Sequence, residues 1–394
     1  MIYFDNNATT KTDERVLEAM MPYFTEEYAN PSSIYDFSKK SSRAIKEARG
    51  VIKSFINAND EKEIIFTSCG SESANTAIKG VLNYNRTKKH IVTTKVEHPC
   101  VLNLYKSLEK QGYKVDYISV NSNGDLDLEE LDSVINQDTA LVSVMWANNE
   151  TGVINPIKKV SEIIKSKNPD TKLFVDAVQV AGKIPMDVQE MGIDLLGISG
   201  HKFHAPKGIG ALYVNSKTMI TPLIIGGHQE RGKRAGTENV PYIVGMAKAA
   251  ELAQDALGYE LTEVKRLRDK LETNLLKNIY NARLNTAVTN RVPNTTNIGF
   301  EYVEGELILL HMSDLGICAS SGSACTSGSL EPSHVLRAMN VPFTAIHGSI
   351  RFSLSRYTTE SEVDYVCEKM PQIIEKITAI SPFQDELAAL KARK

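Results

Sequence analysis

Lys202, in the run Ser199-Gly200-His201-Lys202-Phe203-His204, offers a primary amine among small and polar neighbours. Asp176 closes the apolar run Leu173-Phe174-Val175, so its carboxylate falls at the end of a strand-like segment. An amine can hold a carbonyl compound as an imine. A carboxylate can keep a heteroaromatic ring nitrogen protonated. Together they are the two groups that pyridoxal phosphate requires of a protein. Burying a carboxylate at a strand end is costly without a cationic partner, which that ring nitrogen supplies. Each residue alone also has an ordinary reading, as surface charge or as a turn acid.

Other residues fall where such a site needs them. His98, in Val96-Glu97-His98-Pro99, follows a strand-like run, and its imidazole could stack on an aromatic ring and move protons near neutrality. Gln179 lies shortly after Asp176, within reach of a ring oxygen, and Asn149 lies in the turn Asn148-Asn149-Glu150-Thr151-Gly152. The turn Thr67-Ser68-Cys69-Gly70-Ser71-Glu72-Ser73 opens a helical pattern. It reads either as a phosphate cradle of free N–H groups and hydroxyls, or as plain capping by Ser71 or Ser73 with Glu72 in the first turn. Ser199 and His201 are close enough in sequence to share one phosphate. The glycine- and cation-rich run Gly226 to Thr237 suits an anion or an interface, without the order of a nucleotide-binding loop. His201 and His204 lack a third ligand at metal-binding spacing.

Two residues suggest a second reactive centre. Cys325 lies in the polar, small-residue stretch from Ala319 to Ser329, which reads as a mobile loop with a thiol exposed to reaction. Arg351, in Ser349-Ile350-Arg351-Phe352-Ser353, could clamp an amino-acid carboxylate or form a structural ion pair.

Positioning these groups calls for an alternating α/β chain. Strand-like runs at Glu63–Phe66, His90–Thr93, Val115–Ile118, Leu141–Val144, Leu173–Val175, Leu195–Ile198 and Ala211–Val214 alternate with helical patterns, such as Ile45, Ala48, Ile52 and Phe55. This predicts a mostly parallel or mixed sheet with helices on both faces, and a ligand outside the carboxyl ends of its strands. Beyond about residue 255, Leu261, Val264, Leu267, Leu271 and Leu275 mark a charged, solvent-facing helix able to open a second domain. A strand-like run follows at Thr296–Phe300, and the tail from Gln384 reads as a weak helix.

The 394 residues carry 42% hydrophobic and 24% charged side chains, enough for a large core and two domains. A net charge of -3 predicts no strong nonspecific grip on nucleic acid or anionic membrane. The start reads as no signal peptide, and no run is apolar enough to span a bilayer. Five cysteines are too few for a disulfide scaffold, which points to a reducing cytoplasm.

In their joint order these motifs closely resemble the cysteine desulfurases of the NifS/IscS type, within the aspartate-aminotransferase-like fold (pyridoxal phosphate fold type I, class-V aminotransferases). The marks are Tyr3-Phe4-Asp5-Asn6-Asn7-Ala8-Thr9-Thr10, Asn30-Pro31-Ser32-Ser33, Glu97-His98, Asn148 to Gly152 and Val175 to Gln179. They continue at Ser199 to Lys202, Arg234 to Asn239, Ser321 to Cys325 and Ile350 to Leu354. The resemblance implies a large domain of a seven-stranded, mostly parallel sheet over 16–255. It implies a smaller α+β domain, 1–15 and 256–394, whose loop at about 319–332 carries the cysteine.

It further implies that Lys202 holds the cofactor, Asp176 pairs with its ring nitrogen and His98 stacks on the ring. Asn149 and Gln179 contact the ring oxygen or substrate, and Glu72 falls in the same cofactor-binding segment as Ser71. Ser71, Ser199 and His201 are implied phosphate ligands, and Thr237 reaches the phosphate of a partner subunit in a homodimer. Arg351 holds the substrate carboxylate. Lys202 removes the α-proton of L-cysteine, and Cys325 takes the sulfur as a persulfide, leaving L-alanine and supplying an iron–sulfur scaffold or another acceptor. No catalytic metal is implied, Cys325 at most touching an iron–sulfur cluster in passing. Ser71 and Cys69 depart from the family, which often has threonine and glycine or alanine there. Alternatives are a selenocysteine lyase, another enzyme of the same fold, or an inactive assembly protein, against which Lys202, Asp176, His98 and Cys325 argue together.

Overall fold

The computed structural model describes residues 1–286, 289–321 and 332–393. All seven expected strands are present and form one sheet, in the spatial order 64–67, 210–214, 195–199, 172–176, 139–145, 90–94 and 114–118. Gly210–Val214 runs against its two neighbours, and the other strand pairs are parallel.

Side chains alternate between two buried faces, as the pleat requires. Ile65, Ile91, Leu141, Phe174, Leu195 and Leu212 pack under the helices Gly70–Tyr84 and Pro99–Glu109. Ile64, Phe66, Val92, Val142, Val175, Leu196 and Ile198 face the helices Lys39–Phe55, Ile157–Lys167 and Val240–Asp255 on the other side. The expected apolar set Ile45, Ala48, Ile52 and Phe55 is buried against that face.

A second core lies over a four-stranded antiparallel sheet ordered 320–321, 349–353, 295–300 and 282–284. The solvent-facing helix expected after residue 255 needs correction. Val264, Leu267, Leu271 and Leu275 are buried in this second core, and only Leu261 of the five is exposed. A π-helical stretch, Glu260–Val264, precedes the α-helix Lys265–Asn278 and changes the register between Leu261 and the rest. The amino terminus belongs to this unit too: Ile2–Tyr3 pairs with Ile317–Cys318, and Phe4 is buried in the second core. Val335, Leu336, Met339 and Ile346 pack instead into the first core. The tail forms a helix, Gln384–Arg393. Among the described residues no helix is long and apolar enough to cross a membrane.

A buried ion pair ties the sheet edge to the glycine-rich run. Arg49 donates to both carboxylate oxygens of Glu230 at 2.7 and 2.8 Å, and to the Ile64 carbonyl at 2.8 Å. Glu230 also accepts the Phe66 N–H at 3.1 Å, while holding a left-handed backbone at φ 46°. Removing one partner strands a buried guanidinium. Glu230→Ala should therefore destabilise the protein by about 3–5 kcal/mol in urea unfolding. A loss below about 1 kcal/mol would show that the pair is solvated.

Candidate active site

The loops that leave the strand carboxyl ends converge on one cavity of about 210 Å³. Asp176 sits at the centre of this edge, its strand registered with Met145 on one side and Gly197 on the other. Ser71, His98, Asn149, Asp176, Gln179, Ser199, His201 and Lys202 all line the cavity. Eight expected residues, scattered over much of the large sheet, meet in one place.

The turn before helix Gly70–Tyr84 behaves as a cradle. Cys69 is its N-cap and makes no side-chain capping bond, so the first N–H groups are not satisfied from there. Capping by Ser73 is corrected by its actual bonds: its hydroxyl meets Thr67 Oγ1 at 2.8 Å and the Ala211 carbonyl at 3.3 Å. Gly70 is needed for close approach, since a Cβ there would stand 2.9 Å from Val178 Cγ2. The Ser199 hydroxyl is buried in the cavity wall without a hydrogen-bond partner. A hydroxyl and free amides on one wall suit an anion.

The opposite wall carries the charges. Lys202 Nζ donates to the carbonyls of Asn7 and Ala8 at 2.6 and 2.7 Å. Burial draws this amine down to about 8, and Arg351 adds to the fall while Asp176 and Asp5 oppose it. A proton-accepting amine is thus populated near neutrality. Burial pushes the Asp176 carboxyl up, against the pull of the Val178 N–H at 3.0 Å and of Lys202. His98 Nδ1 accepts the Cys100 N–H at 3.2 Å, and burial lowers its pKa, so a neutral imidazole faces the cavity. Burial and Lys202 bring His201 to about 4, and its ring meets Thr9 Oγ1 at 3.1 Å.

Three expected residues stand elsewhere. The Glu72 carboxylate turns from the cavity to accept Ser68 N–H at 2.8 Å and Arg234 Nε at 2.9 Å. Thr237 is exposed, in a neighbouring cleft with Ser68, Arg234 and Glu238. Arg351 donates to Asp5 at 2.7 Å and to the Asn149 carbonyl at 3.0 Å, adjacent to the cavity and not in its lining. Cys325 lies outside the described residues.

Several site residues carry no role in the motif reading. Asn7 holds Lys202 through its main chain, which its place in the run Tyr3 to Thr10 could have signalled. Cys100 and Met145 line the cavity, and nothing in their types announces it. Glu97 is buried behind His98, one oxygen accepting Thr94 Oγ1 and Met145 N–H at 2.9 and 2.8 Å, the other without a partner. Burial and then Asp176 push its carboxyl up to about 8 from an ordinary 4.5. The folded chain therefore keeps a proton that the unfolded chain releases, and stability falls as pH rises from 4.5 through 8. Glu97→Gln should flatten that fall in denaturant titrations across this range, and an unchanged pH slope would show that Glu97 is ionised when folded.

The described geometry matches what known proteins of one kind share. The sequence profile for aminotransferase class-V matches residues 2–366. A cysteine desulfurase of Nostoc sp. is 56% identical over 395 aligned positions, covering 100% of this chain and 98% of that protein. The cysteine desulfurase NifS of Azotobacter vinelandii is 49% identical, over 97% of this chain and 94% of its own. Among solved structures, a NifS-like protein superposes with a TM-score of 0.90 at 40% identity, covering 95% of this chain and 99% of that one. With its seven-stranded sheet and the cavity at the strand ends, the chain belongs to the class-V aminotransferase family, and within it to the cysteine desulfurases of the NifS type.

Proposed function

We propose that this chain takes sulfur from L-cysteine as a pyridoxal phosphate enzyme, with Lys202 as cofactor anchor and proton acceptor and Cys325 as sulfur acceptor. The observation that carries the reading is the joint lining of one cavity by Lys202, Asp176 and an unpartnered Ser199 hydroxyl. The residues fit the cofactor. Ser71, Ser199, His201 and the uncapped helix start suit its phosphate, buried Asp176 suits a cationic ring nitrogen, and neutral His98 suits its ring face. Asn149 and Gln179 suit its ring oxygen. When bound, the cofactor supplies an electron sink for the electron pair left when a bond at the substrate α-carbon breaks.

The chain's own groups do the rest. Lys202, drawn down to about 8, accepts the α-proton and returns it. Arg351 takes the substrate carboxylate with its guanidinium, next to the Asn149 carbonyl that it already touches. The Cys325 thiolate attacks the substrate sulfur. A new S–S bond forms, the substrate C–S bond breaks and its electron pair stays with carbon, which gains a proton. L-cysteine and one enzyme thiol thus give L-alanine and one enzyme persulfide, whose outer sulfur passes to an acceptor such as an iron–sulfur scaffold.

Two domains, 16–255 and 1–15 with 256–394, fit the two cores. A cytoplasmic homodimer fits the exposed Thr237 with its cleft, and the exposed Tyr28, Ile34, Tyr35 and Ile225, apolar surface of the kind that subunit contacts cover.

Cys325→Ser should keep the imine absorbance of bound cofactor and lose persulfide and alanine turnover by on the order of 10³-fold or more. Lys202→Ala should lose the imine absorbance itself. Normal sulfur transfer by the Cys325 variant would overturn its role, and an intact imine in the Lys202 variant would overturn the anchor.

A further inference from the structure

Behind the cavity, outside its lining, lies a second buried amine. Lys183 is 5% exposed, and its Nζ donates to Gln179 Oε1 at 2.9 Å and to Asn7 Oδ1 at 3.2 Å. Gln179 Nε2 in turn donates to the Asn7 carbonyl at 3.0 Å, the same oxygen that accepts from Lys202 at 2.6 Å. The Asn7 amide is fully engaged: Asn294 Nδ2 also donates to its oxygen at 3.1 Å, and its own Nδ2 donates to Thr295 Oγ1 and the Asn149 carbonyl. One short network therefore joins Lys183 to a cavity-lining amide and to the carbonyl that holds Lys202.

A primary ammonium has three hydrogens to give and no lone pair to receive. An amide facing it must present oxygen. A glutamine left to itself can turn its oxygen or its nitrogen either way, whereas Gln179 opposite an ammonium has its nitrogen committed toward Asn7 and the cavity. We propose that Lys183 is a positioning residue for the desulfurase reaction, a donor-only clamp that sets the orientation of the Gln179 amide and, through the Asn7 carbonyl that Gln179 Nε2 meets, the seat of Lys202. The inference rests on the functional reading above.

The charge that the clamp needs is supported from the second core. Burial, with Lys202 and Arg351, brings Lys183 down to about 7 while Glu260 opposes them. Glu260 is 4% exposed and lines a small void together with Lys183, Lys202, His204 and Arg356. One of its oxygens has no hydrogen-bond partner, and burial pushes its carboxyl up to about 7 against the pull of Arg356 and Lys183. Above its pKa the neutral amine can also accept, so the clamp loosens as pH rises.

The test compares holoenzymes of the wild type, Lys183→Met, Gln179→Ala and the double variant, with Lys183→Gln as a second replacement. Three quantities are read: the dissociation constant for pyridoxal phosphate by equilibrium dialysis, and kcat and KM for L-cysteine. A misplaced amide should lower kcat roughly 10- to 100-fold in Lys183→Met, with KM changed less than about threefold. The cofactor dissociation constant should rise several-fold. In the Gln179→Ala background the same change should cost less than about twofold, because the clamp acts through that amide. Lys183→Gln fills the space and keeps a donor, yet should match Lys183→Met, since its amide can present either end. Equal losses in both backgrounds, or wild-type behaviour of Lys183→Gln, would overturn the proposal. Should the wild type itself form no alanine from L-cysteine, the functional reading fails, while the cofactor-affinity cycle still decides the clamp.

Discussion

A carboxylate held away from water at the end of an inner strand governs this structure. Asp176 has lost its solvation, and what surrounds it in the chain alone is one N–H, a neutral imidazole and the attraction of a nearby amine. A buried acid so placed is stable as an anion only opposite a cation. The rest of the site is arranged around that need. Lys202 provides part of the positive charge and, by being buried itself, is brought close to neutrality as a base. A protonated ring nitrogen would supply the remainder.

The fold delivers this arrangement by a general property of parallel sheets. Loops leaving the carboxyl ends of neighbouring strands crowd one edge, while the strands beneath are sealed on both faces. What the sheet cannot provide comes from the amino-terminal segment. Its first residues pair with the second core, and Asn7 then crosses to Lys202, Gln179, Lys183 and Asn149. One asparagine thus connects the two cores with the Lys202 amine. Any shift of one core relative to the other would be felt at Lys202.

Much of this was legible in the residues. The seven strands announce themselves because both faces are buried, which leaves short, apolar, β-branched runs. Asp176 was readable as a strand-end acid because three apolar residues precede it. Lys202 was readable only in company with Asp176 and His98. The helix after residue 260 was misplaced toward solvent because its charged positions outnumber its apolar edge. Glu72 was grouped with the cradle by adjacency, whereas Arg234, far along the chain, decides where its carboxylate turns. Glu97 enters the sequence reading only as the neighbour of His98, and Lys183 does not enter it. Their burial arises from contacts between distant segments, and no local period records it.

The account stands or falls on the charge opposite Asp176. With pyridoxal phosphate labelled with nitrogen-15 in its ring, the chemical shift of that nitrogen can be followed against pH in the wild-type holoenzyme and in Asp176→Asn. The ring nitrogen should stay protonated across the whole pH range in which the wild type is folded, and should lose its proton in the variant. A wild-type ring nitrogen that titrates as it does in free cofactor, or one unaffected by the substitution, would contradict the pairing on which the site is built.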